Sequence, residues 1–128
     1  MPMLDHLSLG VTDLGRAAAF YDGVLAPLGY VRVWSAEDAV GYGAPGDEDE
    51  LALKARAGVT APGAGFHVAL AAPDPAAVRA FYAEALARGG LDDGPPGLRP
   101  HYGPGYYAAF IVDPDGHRIE AVYHSEEP

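Results

Sequence analysis

The chain has no cysteine, which removes disulfides, thiolate metal sites and cysteine nucleophiles together. Any metal held here must take its ligands from His, Asp, Glu or Tyr. Basic residues are also scarce: eight Lys and Arg stand against 18 Asp and Glu, a formal charge of −10. The eight are scattered, and a surface of this sign repels a phosphate backbone, so no nucleic-acid partner is expected. No apolar run is long enough to span a bilayer and no basic-then-apolar leader opens the chain, so neither membrane insertion nor export is signalled and a cytoplasmic protein is expected. What is present is 128 residues, 49% hydrophobic and 20% charged, a balance that suits a globular protein and leaves no case for disorder.

Two stretches nearly repeat each other. HLSLGVTDLGRAAAFYDGVLAPLGY begins at His6 and HVALAAPDPAAVRAFYAEALARGGL at His67. Laid together without a gap they share His6/His67, Leu9/Leu70, Asp13/Asp74, Ala19/Ala80, Phe20/Phe81, Tyr21/Tyr82, Leu25/Leu86, Ala26/Ala87 and Gly29/Gly90. A unit of about 60 residues is marginal alone, so the repeat implies two small modules, about 4–57 and 66–124, fused around a shared core into one domain over 1–128.

Each copy opens with strand-like alternation. Leu7, Leu9 and Val11 share one face with His6, Ser8 and Gly10 on the other; Val68 and Leu70 oppose His67, Ala69 and Ala71. Both histidines therefore lie on the same side of equivalent strands. A helix start follows each, at Thr12 or Asp13 and at Asp74-Pro75, with helices running to about Leu25 and Ala87. Further strands are expected at Tyr30 to Ser35, Ala39 to Tyr42, Glu50 to Ala57, Tyr106 to Val112 and Arg118 to Tyr123. APGDEDE (44–50) reads as a solvated turn, 59–65 as the linker between halves, and 89–105 as an irregular loop too rich in Gly and Pro for regular structure.

DPDG (113–116) has the chemistry of a hairpin turn. If Val112 faces His117, Ala109 lies opposite Glu120 and Tyr107 opposite Val122, so Glu120 shares a face with Tyr107, Ala109 and Ile111. A carboxylate among Ile119, Ala121 and Val122 is costly to desolvate unless something pairs with it. The partner is either Arg118, or solvent along an exposed strand, or a cation held jointly with His6 and His67, since two imidazoles and a carboxylate suit divalent iron, manganese, nickel or zinc. RPHYGPGYY (99–107) offers His101, Tyr102 and Tyr107 as proton handlers or substrate contacts, or else as packing that pins the loop. His117 is expected to be exposed in its turn, His124 to stand at a rim or in a fraying terminus, and Trp34 to serve as core or as a dimer contact.

The repeated strand–helix–three-strand module, the histidine opening each copy, the AFY inside each helix and the terminal DPDGHRIEAV together resemble the vicinal oxygen chelate superfamily. That group includes glyoxalase I, extradiol dioxygenases, fosfomycin-resistance transferases and bleomycin-binding proteins. The resemblance covers essentially the whole chain. It implies an α+β fold of two βαβββ modules curling into an incomplete barrel, with helices outside and a cup within. It also implies metal ligands on the first strand of each module and the last strand of the second, positions that His6, His67 and Glu120 occupy. A fourth carboxylate, as in glyoxalase I, would have to be Glu50, whose acidic neighbours argue against it.

The function implied is that of a metalloenzyme in which a divalent metal chelates a small oxygenated substrate and stabilises an enolate-like or oxyanionic intermediate. Glu120, Tyr107 and His101 are then the candidate catalytic residues, and Arg99, Tyr102 and Tyr107 the candidate substrate contacts. The alternative is a non-catalytic small-molecule or drug-binding protein of the bleomycin-resistance type. A homodimer is expected, because small curled sheets leave edges that need covering.

Overall fold

The computed structural model describes residues 3–125. In chain order the elements are β1 (Leu7–Val11), α1 (Leu14–Leu25), a short 3-10 turn (Ala26–Leu28), β2 (Val31–Ser35), β3 (Ala39–Gly43), β4 (Leu51–Ala55), β5 (Val68–Ala71), α2 (Pro75–Ala87), β6 (Leu91–Leu98), β7 (Tyr106–Val112) and β8 (Arg118–His124). They form two four-stranded mixed sheets of the same topology, β1-β4-β3-β2 and β5-β8-β7-β6, which do not close into a barrel. In each sheet the first strand pairs in parallel with the last, Leu7 opposite Leu51 and Val68 opposite Ile119. No described helix is long and apolar enough to cross a membrane.

Local chemistry explains both helices. Asp13 accepts from the backbone N–H of Arg16 at 3.1 Å, and Asp74 from that of Ala77 at 2.8 Å, so each caps donors that the first turn leaves unpaired. Pro75 supplies a preset first position to α2. The helices pack on each other and on one face of the sheets. Leu9, Val11, Leu53, Ile111 and Ile119 from the strands join Phe20, Val24, Val78 and Phe81 from the helices in one continuous core that spans both modules. Each fully buried apolar side chain contributes about 1.5–3 kcal/mol, so neither half keeps its core without the other.

Two expectations fail here for stated reasons. Leu91–Leu98 is a strand, not an irregular loop, and only the residues from Arg99 to Gly105 leave the sheet. It is tolerated because β6 lies at a sheet edge, where prolines need not donate, and because two register shifts, at Asp92/Gly94 and at Gly94/Gly97, absorb the glycines. His117, expected to be exposed, is 4% exposed and its Nε2 lies 2.7 Å from the carbonyl oxygen of Gly10.

The hairpin turn holding His117 is a clasp between modules. Asp113 accepts the Tyr21 hydroxyl at 2.5 Å on one oxygen and the N–H groups of Asp115 and His117 on the other. Asp115 accepts from the backbone of Thr12 at 3.0 Å and from the Arg16 guanidinium at 3.2 Å. A second tie runs the other way, from the Tyr30 hydroxyl to the carbonyl of Ala71 at 2.9 Å.

Candidate functional site

The register of the last hairpin decides which side chains face Glu120. The Asp113 N–H bonds the His117 carbonyl, the Gly116 N–H bonds the Asp113 carbonyl, and Gly116 has φ 93°. This is a three-residue loop, Pro114 to Gly116, closed by a glycine bulge. Val112 therefore pairs with Arg118 and Phe110 with Glu120, one residue away from the expected register. A one-residue slip exchanges the two faces of a strand. Tyr106, Ala108 and Phe110 share the side of Glu120; Tyr107, Ala109 and Ile111 lie on the helix side. Tyr107 packs against the core and its hydroxyl accepts from Arg79 at 3.4 Å, which corrects its expected place beside Glu120.

Glu120 is 1% exposed. One of its oxygens lies 2.9 Å from Nε2 of half-exposed His67, and the other accepts the hydroxyl of Tyr106 in a short hydrogen bond. Both oxygens are thus engaged, which answers how the strand can bury a carboxylate. Burial first, and then the Glu120 carboxylate, push the Tyr106 phenol well above its ordinary value, so Tyr106 stays protonated and donates. Arg118 is not the partner: it binds both oxygens of Asp93, at 3.0 and 2.9 Å.

Aromatic rings surround this centre. His67 meets Phe110 edge-on with centroids 6.2 Å apart, and the Arg99 guanidinium lies 5.4 Å from the centre of the same Phe110 ring. From Tyr106 a second series runs outward, Tyr106 to Tyr102 at 5.1 Å and Tyr102 to His101 at 4.2 Å, with His124 edge-on to Tyr106 at 4.9 Å. The structure therefore gathers His67, Glu120, Arg99, Tyr102 and His101 on one side of the second sheet. It adds Tyr106, Phe110 and His124, of which the sequence reading singled out only His124. The Pro-Asp-Gly loop was the signal that could have found Tyr106 and Phe110, because it fixes the register.

His6 stands apart from this group. Its Nδ1 lies 2.7 Å from Asp5, it is half exposed, and it lines a cavity of about 270 Å³ between the modules together with Glu50, Tyr30, Leu51 and Leu70. The pairing also places Glu50. In the second sheet Ala69 opposes Glu120, and in the first the equivalent Ser8 opposes Ala52. Ala52, not Glu50, is the counterpart of Glu120, so the first module carries no matching carboxylate. Among the described residues no three His, Asp or Glu side chains come together in a way that could hold a metal ion. His67 and Glu120 are two adjacent donors, and one chain does not bring a third to them, so the three-ligand centre that the fold family implies does not fit within a single chain.

On the first sheet the helix-free side carries the small residues Ser8, Gly10, Ala39, Gly41 and Ala52 together with Lys54 and Trp34. A Cβ on Gly41 would come within 2.2 Å of the Trp34 indole nitrogen, so Trp34 lies flat across Gly41, 37% exposed, and is neither core nor placed beside Glu120.

Similarity to known proteins agrees with this architecture. A glyoxalase/bleomycin resistance protein from Albidiferax ferrireducens T118 is 30% identical, with a TM-score of 0.83 over 97% of this chain and 100% of that one. A glyoxalase-related enzyme from Fulvimarina pelagi is 21% identical, with a TM-score of 0.74 over 97% and 89%. The genomically encoded fosfomycin resistance protein FosX from Listeria monocytogenes is 17% identical, with a TM-score of 0.71 over 99% and 97%. The last two likenesses speak to fold alone, and no curated protein matches the chain. The model of the Glyoxalase/Bleomycin resistance protein/Dioxygenase superfamily matches residues 3–121, and the chain belongs to that family.

Proposed function

We propose that the protein is a divalent-metal enzyme acting on a small oxygenated molecule, with His67 and Glu120 as ligands from one chain and His6 supplied by a second copy in a homodimer. One observation carries the reading: a carboxylate buried to 1% exposure is kept beside a half-exposed imidazole on the helix-free side of the sheet. A purely structural carboxylate gains little from such a place, since burial costs it several kcal/mol that hydrophobic packing would avoid. His6, half exposed and paired only with its neighbour Asp5, is free to serve elsewhere. A twofold pair would then contain two equal sites, as closed dimers require. The bound metal would polarise substrate oxygens and stabilise negative charge on them.

The chain's own groups would do the rest. Tyr106 holds its proton and fixes Glu120 in orientation. His101 and Tyr102 line the approach.

Metal content of protein purified without chelator tests the reading. Wild type should hold stoichiometric metal, and His67→Ala, Glu120→Gln and His6→Ala should each lose it. Co-expressed His6→Ala and Glu120→Gln chains should recover about a quarter of the sites, because random pairing makes half of the dimers mixed and one of the two centres in each mixed dimer is intact. Wild type that stays metal-free after reconstitution with iron, manganese, nickel and zinc would reject the enzyme and leave the drug-binding alternative.

A further inference from the structure

We propose that Arg99 is the anion-holding residue of the second sheet, and that the ligand it selects is a small flat monoacid. This rests on the reading above only in taking the helix-free side of the second sheet as the ligand site. It needs no metal.

The guanidinium is set in place by its surroundings. Its Nη2 donates to the Pro95 carbonyl at 2.6 Å and its plane lies near the Phe110 ring. Two glycines make the room: a Cβ on Gly94 would come within 3.3 Å of Nη2, and one on Gly97 within 3.1 Å of Nη1. A guanidinium carries five N–H donors, and a backbone carbonyl is the partner found for one of them. Among the described residues Arg99 and Arg79 have no carboxylate partner, whereas Arg16, Arg32, Arg56, Arg88 and Arg118 each have one; Arg79 donates instead to the Tyr107 hydroxyl on the helix side. In a chain with 18 acidic residues, a half-buried arginine kept clear of all of them has its fork available for an anion from outside.

Position ties this cation to the centre. Phe110 is the cross-strand partner of Glu120 and touches His67 as well as Arg99. A ligand reaching the His67–Glu120 pair therefore lies next to the guanidinium. The rings of Tyr102 and Tyr106 continue the same wall and offer faces to a planar body. The charge of −10 repels anions at long range, and the penalty grows with each negative charge on the ligand. One local cation is matched to one carboxylate, not to a polyphosphate.

Benzoate and its neutral isostere benzamide are the probes, titrated by calorimetry into metal-free protein with chelator present. Wild type should prefer benzoate by roughly tenfold, the scale of one charge-assisted fork. Arg99→Gln should bind both alike while melting at the wild-type temperature, and Arg99→Lys, which keeps the charge and loses the fork, should retain part of the preference. A folded Arg99→Gln that still prefers benzoate, or a wild type with no preference, overturns the proposal. Chelator separates the two readings: a benzoate preference that depends on Arg99 stands even if reconstitution shows no metal site, and stoichiometric metal without that preference removes Arg99 alone.

Discussion

Gly10 and Ala71 occupy equivalent positions in the two modules, and the carbonyl of each is met by a polar side chain from the other half: His117 at Gly10 and Tyr30 at Ala71. Both carbonyls belong to the first strand of their sheet, which is a sheet edge. Two exposed edges are thereby tied without a ladder between them. Replacing His117 by Phe leaves a part-buried carbonyl unpaired and should cost about 1–3 kcal/mol, against about 1 kcal/mol for Tyr30→Phe at its wetter position. Urea unfolding checks this, with an unchanged slope if both variants act on the native state.

Alkaline pH should weaken the fold through its tyrosines. Burial, followed by Asp113, holds the Tyr21 phenol well above its ordinary value of 10.0, and burial, followed by Asp22, does the same for Tyr42. The folded state then keeps protons that the unfolded chain releases. Their contribution is complete below the ordinary value of 10.0 and is lost as pH rises toward the raised folded values. Between the ordinary value and the raised one, stability should fall by up to about 1.4 kcal/mol per pH unit for each such group. Tyr21→Phe, measured by denaturation at several alkaline pH values, should show a shallower fall, together with a loss of about 1–3 kcal/mol at neutral pH from the orphaned Asp113.

Glu120→Gln should leave the fold intact. The amide oxygen can still accept from Tyr106, and removing a buried charge offsets the weaker bonding, so the change should lie within about 1 kcal/mol of wild type. A collapse of the melting temperature would mean that the carboxylate is structural.

Gly41→Ala probes the first sheet. The added methyl meets the indole of Trp34, the chain's sole tryptophan, and must displace it at a cost of about 1–3 kcal/mol. Emission should shift to the red as the ring leaves the sheet for water, and unchanged fluorescence would show that the backbone yields instead.

Much of this was legible from residues 6–35 and 67–88, where repetition, alternating burial and Asp caps agreed with one another. Each of those signals is local. The side of the strand that Tyr106 and Tyr107 take was not read correctly, because it hangs on one glycine bulge at Gly116 and a single residue of slip inverts it. The separation of His6 from His67 was also hidden, since alternation assigns a face within a strand but not how two sheets stand to each other. The clasp was mistaken for an exposed turn because DPDGH reads as hydrophilic. Its Asp113 and His117 are buried by partners over ninety positions away in sequence, Tyr21 and Gly10.

The replacement of a carboxylate by Ala52 at the position equivalent to Glu120 has a stereochemical consequence. The backbone repeats, but the buried carboxylate and the imidazole beside it stand on the second module, while the first places Ser8, Gly10, Gly41, Ala52, Lys54 and the Trp34 indole on its matching face. A flat molecule lying against the second sheet meets the His67–Glu120 pair on one of its faces. Any hydrogen exchanged there should enter and leave from that face, giving a single enantiomer at a prochiral carbon.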